Sequence, residues 1–122
     1  MSKAYEFLKE CGVFFVLTIN DDCPAGRPFG AVMEYRDDLY ISTTDTKEVY
    51  KQMKDNPHIQ IVSMKTGTRD WMRINGIATE CNDIEIKKKM LEECPALTKH
   101  FSSFDAPHYA VFQVKVMDLK FF

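Results

Sequence analysis

Between Val13 and Thr43 the sequence offers three strand-like runs with no helix-length segment to join them, and nothing else in it narrows the fold as much. Neighbouring parallel strands need a crossover of about a dozen residues or more, usually a helix. Here Val13-Phe-Phe-Val-Leu-Thr-Ile19 is β-branched and aromatic, and it breaks into Asn20-Asp-Asp-Cys-Pro-Ala-Gly26, a dense cluster of turn formers. A second strand is expected from about Arg27 to Tyr35, with Pro28 tolerable near its start. A tight turn at Arg36-Asp-Asp38 then leads into a third strand, Leu39 to Thr43. This pattern calls for antiparallel hairpins and argues against βαβ winding.

The rest of the chain fits the same scheme. Ser2 to Glu10 reads as a short helix with Tyr5 and Leu8 on one side, ended near Cys11 by Gly12 in a left-handed stop. After the third strand, Val49, Tyr50 and Met53 fall at helical spacing in a helix starting near Thr46 and stopped by Asn56-Pro57. Strands are expected at His58 to Met64, at Trp71 to Glu80 with Gly76 at a bulge or close approach, and at Tyr109 to Lys115 continuing toward Phe121. Asn82-Asp83 caps a helix running through Glu93, and a shorter helical piece covers Ala96 to Phe101. Six strands with short helical insertions describe a mainly β chain, an antiparallel barrel whose ends are plugged by helices, in one domain over residues 1–122.

Composition closes off several functions. A formal net charge of −2 leaves no basic surplus for a nucleic-acid backbone. The longest apolar run, Gly12 to Leu17, is far too short to span a bilayer, and Glu6 and Glu10 are unlike a secretory leader, so a cytoplasmic protein is expected. Cys11, Cys23, Cys81 and Cys94 show neither a C-x-x-C pair nor zinc-like spacing and read as free thiols. His58, His100 and His108 have no partner at recognisable spacing and are assigned no catalytic role. No nucleophile elbow, Walker loop or G-x-G-x-x-G string occurs.

Three segments are candidates for binding. At Ser42-Thr-Thr-Asp-Thr-Lys47 a strand end meets a helix start, where free amides and hydroxyls of Ser42, Thr43, Thr44 and Thr46 gather beside a cation, an arrangement suited to phosphate. Lys47 in a first helical turn opposes the macrodipole unless an anion lies nearby. The competing reading is a capping-box analogue, Asp45-x-x-Glu48, with Lys47 paired to an acid. In Arg27-Pro-Phe-Gly-Ala-Val32, the small and proline positions leave backbone open to a flat ring, Phe29 offers an aromatic wall and Arg27 a phosphate contact; the alternative is an ordinary edge strand. Trp71 and Arg73 share one strand face, opposite Met72 and Ile74, and suit a ring pocket, a subunit interface or a solvated exterior.

The order of these segments resembles the pyridoxamine-phosphate oxidase-like FMN-binding split barrels, in particular the short nitroimidazole-resistance type. The resemblance rests on Glu6-Phe-Leu-Lys-Glu10, Arg27-Pro-Phe-Gly30, Leu39-Tyr-Ile-Ser-Thr43, Lys47-x-x-Tyr-Lys-Gln-Met53, Asn56-Pro57 and Trp71-x-Arg-x-x-Gly76. It implies a six-stranded antiparallel split β-barrel of Greek-key type and a homodimer with FMN at its two-fold interface. Arg27, Pro28, Phe29, Gly30, Ala31 and Val32 would run beside the ring. Ser42, Thr43, Thr44, Thr46 and above all Lys47 would hold the phosphate, with Trp71 and Arg73 near the ring or contributed by the partner. Haem or a deazaflavin is the lesser cofactor expectation. The substrate-binding His and Arg of the larger oxidases have no equivalent here, so pyridoxamine-phosphate oxidation is not expected. What is expected is a flavin-dependent oxidoreductase acting on a nitroaromatic or quinone-like acceptor. The alternatives are a non-catalytic flavin or haem carrier or sensor, and a cofactor-free barrel.

Overall fold

A computed structural model describes residues 2–122. The chain forms helix α1 (Lys3–Cys11), strands β1 (Phe14–Asn20), β2 (Cys23–Phe29), β3 (Val32–Tyr35) and β4 (Asp38–Thr44), and helix α2 (Glu48–Asp55). Strands β5 (His58–Met64) and β6 (Trp71–Cys81), helix α3 (Ile84–Glu93), a 3-10 turn (Pro95–Lys99) and β7 (Tyr109–Phe121) complete it. The local signals act as expected at several ends. Gly12 closes α1 at φ 79°, and the Asp83 side chain accepts the Glu85 and Ile86 amides at the start of α3.

All pairings are antiparallel, in one sheet of order β2-β1-β5-β6-β7-β4-β3. There are therefore seven strands, not six. The expected second strand divides at Gly30-Ala31: its first half pairs with β1 and its second with β4. The expected loop Asn20 to Gly26 is mostly strand, because the reversal needs only Asp21 and Asp22, and Asp21 tolerates its φ of 57°. Pro24 and Pro28 fit because β2 is an edge strand. Four residues apart, they direct their missing amide positions to the same side, which can be the unpaired one.

This division shapes the molecule. β2 and β3 lie at opposite ends of the sheet order, yet only two residues separate them in sequence. The sheet must therefore curl until its edges nearly meet, and no ladder joins β2 to β3 to close it. Gly76 sits where β7 approaches most closely: the register with β7 shifts at Asn75/Gly76, and a Cβ there would meet Val114 Cγ1 at 2.8 Å and the Lys115 carbonyl at 3.1 Å.

Two cores result. Phe14, Val16, Ile41, Ile61, Ile74, Phe112 and their neighbours fill the interior of the curl, with α1 and α2 packed at its margins. A second cluster, including Met33, Tyr40, Met90, Cys94, Phe101 and Tyr109, lies under α3 and the 3-10 turn. β4 alternates between the two, Leu39 and Ile41 facing the first and Tyr40 the second, so it is buried on both sides. Among the described residues no helix is long and apolar enough to cross a membrane, and all four cysteines are free thiols.

Candidate functional site

The split between β2 and β3 opens a cavity of about 490 Å³, within the range of small-ligand pockets. Its walls come from four places. Arg27 to Phe29 at the end of β2, with the Gly30-Ala31 link, form one; Ser42 and Thr43 of β4 with Lys47 and Val49 form another. Lys9 of α1 and the segment Glu93 to Leu97 with His100 supply the rest.

Folding thus brings together Arg27, Pro28, Phe29, Gly30, Ala31, Ser42, Thr43 and Lys47 from segments expected on sequence to bind. Val32 stands just behind, 3% exposed in the core. Thr44 and Thr46 lie beside the cavity and not on its wall, their hydroxyls 3.3 Å apart. Trp71 and Arg73 are elsewhere. They face outward from the sheet, Trp71 stacked on Phe122 at 4.0 Å between centroids and the Arg73 guanidinium 5.2 Å over the Phe122 ring.

The strand-to-helix junction is not a capping box. α2 begins at Glu48, two residues later than Thr46, and Lys47 occupies the capping position without any side-chain hydrogen bond to the helix amides. Asp45 turns away: its amide donates to the His108 carbonyl at 3.0 Å, and its carboxylate meets His108 Nδ1 at 2.7 Å. Sequence spacing gave no hint of that partner, 63 residues distant. Among the described residues Lys47 has no carboxylate within 4.0 Å. An uncapped helix start carrying an unpaired ammonium is favourable only toward an anion.

Arg27 lies opposite Val16, on the inward face of β2. Its guanidinium donates to the carbonyls of Val16 and Ala25, both at 3.2 Å, to Thr18 Oγ1 at 2.7 Å and to Gln52 Oε1 at 2.7 Å. All four acceptors are neutral. Burial lowers the Arg27 pKa, opposed by the more distant Glu48 carboxylate. Among the described residues Ser42 Oγ is buried and has no hydrogen-bond partner, and an orphaned buried hydroxyl costs about 1–3 kcal/mol unless something supplies its bond. Ser42 is a residue of the cavity wall together with Thr43, Lys47 and Arg27, so the residues present fit an oxygen-rich anionic ligand.

Sequence reasoning missed the opposite wall. Lys9, Glu93, Cys94, Leu97 and His100 reach the cavity through the packing of α1 and α3 over β3, which no local pattern encodes. The Cys94 thiol, 3.5 Å from the Val32 carbonyl, has its pKa raised by burial.

A curled, split antiparallel sheet with an anion-ready cleft at a strand-to-helix junction defines the class of protein. The chain belongs to the pyridoxamine 5'-phosphate oxidase family, whose model it matches over residues 2–122. It is similar to the crystal structure of a NimC/NimA family protein from Clostridium acetobutylicum: 36% identity, covering 98% of this chain and 89% of that one, with a TM-score of 0.87. Likeness in fold extends to an FAD-binding protein from Mesorhizobium loti, at 17% identity and TM-score 0.71, covering 99% of this chain and 94% of that one. It extends also to the haem storage protein HutZ from Vibrio cholerae, at 10% identity and TM-score 0.77, covering 98% and 91%. No curated protein matches the chain.

Proposed function

We propose that the chain is a cytoplasmic FMN-binding flavoprotein, an oxidoreductase acting on a small nitroaromatic or quinone-like electron acceptor. The observation that carries this reading is that Ser42, whose hydroxyl has no partner among the described residues, shares a cavity wall with Lys47 and Arg27, two cations that among those residues have no carboxylate within 4.0 Å. Lys47 and the free amides at the start of α2 hold the phosphate, Arg27 adds charge, and Ser42 donates its hydroxyl. Pro28, Gly30 and Ala31 leave room beside the backbone for a flat ring system, with Phe29 as its aromatic wall. FMN supplies the hydride or electron transfer when bound, and the protein positions it and tunes its surroundings.

The reading includes a homodimer. The outward face of the sheet carries Phe15, Met64, Met117 and Phe122, each half exposed or more. Register aligns Phe15 with Val62 and Arg73, and Met64 with Trp71. A second copy covering this apolar face would also cover Trp71 and Arg73, which share it.

His100 favours one second reading, a haem or flavin carrier, because it is the imidazole on the cavity wall. Titration with FMN, followed by attempted reduction with a pyridine nucleotide and reoxidation by a nitroaromatic, separates the two. Saturable FMN binding and turnover support the oxidoreductase. Binding of haem in preference to FMN, or bound FMN that is never reduced, refutes it in favour of the carrier.

A further inference from the structure

Arg27 is tied to the fold in an unusual way for a cation that faces a binding cavity. Its guanidinium is fixed from three directions: by the β1 backbone at Val16, by Thr18 of the same strand, and by Gln52 of α2. Thr18 and Gln52 are 2% and 7% exposed, so these acceptors are built into the interior. The Thr18 hydroxyl also donates to Gln52 Oε1, at 2.5 Å, which orients the amide oxygen toward the arginine. A carboxylate at the Gln52 position would be the ordinary way to hold a half-buried arginine, because it would also neutralise it. A neutral amide holds the geometry and leaves the charge unspent.

Gln52 lies one helical turn beyond Glu48, so Arg27 is anchored about 6 Å along the α2 axis from the first helical residue, which Lys47 precedes. We propose that Thr18 and Gln52 are positioning residues that hold Arg27 by neutral groups, with no carboxylate within 4.0 Å among the described residues, so that the anionic end of a bound mononucleotide, and not its ring, depends on them. The inference rests on the flavin reading given above and extends it to two residues that touch no ligand. It separates their role from core packing, because packing would affect phosphorylated and unphosphorylated flavin alike.

The test compares FMN with riboflavin, measured as the ratio of their dissociation constants for the full chain. Gln52→Glu gives Arg27 an internal ion pair, and Gln52→Met keeps the volume but removes the acceptor. A charge-assisted hydrogen bond is worth about 1.5–3 kcal/mol, so each variant is expected to lower the FMN preference about tenfold or more while riboflavin affinity stays within about twofold. In an Arg27→Ala background, Gln52→Met changes the ratio no further. If Gln52→Glu fails to fold, Gln52→Met and Thr18→Val carry the test, with a loss of preference expected in both. An unchanged ratio in the folded variants overturns this inference and leaves the flavin reading standing. Equal affinity of the wild-type protein for FMN and riboflavin overturns the phosphate site itself.

Discussion

Replacing Lys47 by Ala separates binding from stability in opposite directions. The residue is exposed and makes no capping bond and no ion pair within 4.0 Å, so its removal takes no contact from the fold. A cation in the first turn of a helix opposes the macrodipole by about 0.3–1 kcal/mol at the surface. The ligand-free variant should therefore melt at the wild-type temperature or up to about 4 °C above it. FMN binding moves the other way. Loss of a charge-assisted contact to phosphate removes about 1.5–3 kcal/mol, a roughly 10- to 150-fold weaker dissociation constant, while riboflavin binding hardly changes. Differential scanning calorimetry of the ligand-free protein and flavin fluorescence titration read the two effects on one preparation. A lower melting temperature would mean that Lys47 holds the fold together, and an unchanged FMN affinity would mean that no phosphate sits at the start of α2.

Other substitutions probe other parts of the account. Ser42→Ala removes an unsatisfied buried hydroxyl, so the ligand-free protein should be as stable as wild type or up to about 1 kcal/mol more so, and FMN should bind about three- to tenfold more weakly by fluorescence titration. Gly76→Ala places a methyl 2.8 Å from Val114 Cγ1, and overpacking of this kind costs about 1–3 kcal/mol, seen as a fall in the chemical-denaturation midpoint with unchanged slope. Because burial raises the Cys94 pKa, its thiolate fraction at any mildly alkaline pH lies below that of an ordinary thiol. Exposed Cys23 should therefore be alkylated first, and Cys94 should react only slowly, as mass spectrometry of timed quenches can follow.

The fold was largely legible because its signals are local. The run from Val13 to Ile19, the Asp83 cap, Gly12 and Gly76 each act through their own backbone or immediate neighbours. The seventh strand was not, because Arg27 to Tyr35 reads as one extended run, and its division at Gly30-Ala31 depends on its halves pairing with β1 and β4, at opposite ends of the sheet. Half of the cavity wall comes from two segments that carry visible chemistry, Arg27 to Ala31 and Ser42, Thr43 and Lys47. The other half depends on contacts between distant parts of the chain. Asp45 reads as a cap until His108 arrives to claim it, and Gln52 reads as one polar position on a helix until Arg27 is found bound to it. Trp71 and Arg73 illustrate the reverse case: their shared face was correctly assigned, yet alternation alone cannot say whether that face looks into a pocket or away from it.

The central claim is that the cleft beside Ser42 and Lys47 is a flavin mononucleotide site. The decisive measurement is the visible absorbance spectrum of the purified chain, recorded before and after addition of FMN and gel filtration. Flavin bands are expected to stay with the protein at up to one equivalent per chain and to be released by Lys47→Ala. A colourless protein that retains no added FMN, or one that shows a haem Soret band in its place, would contradict it.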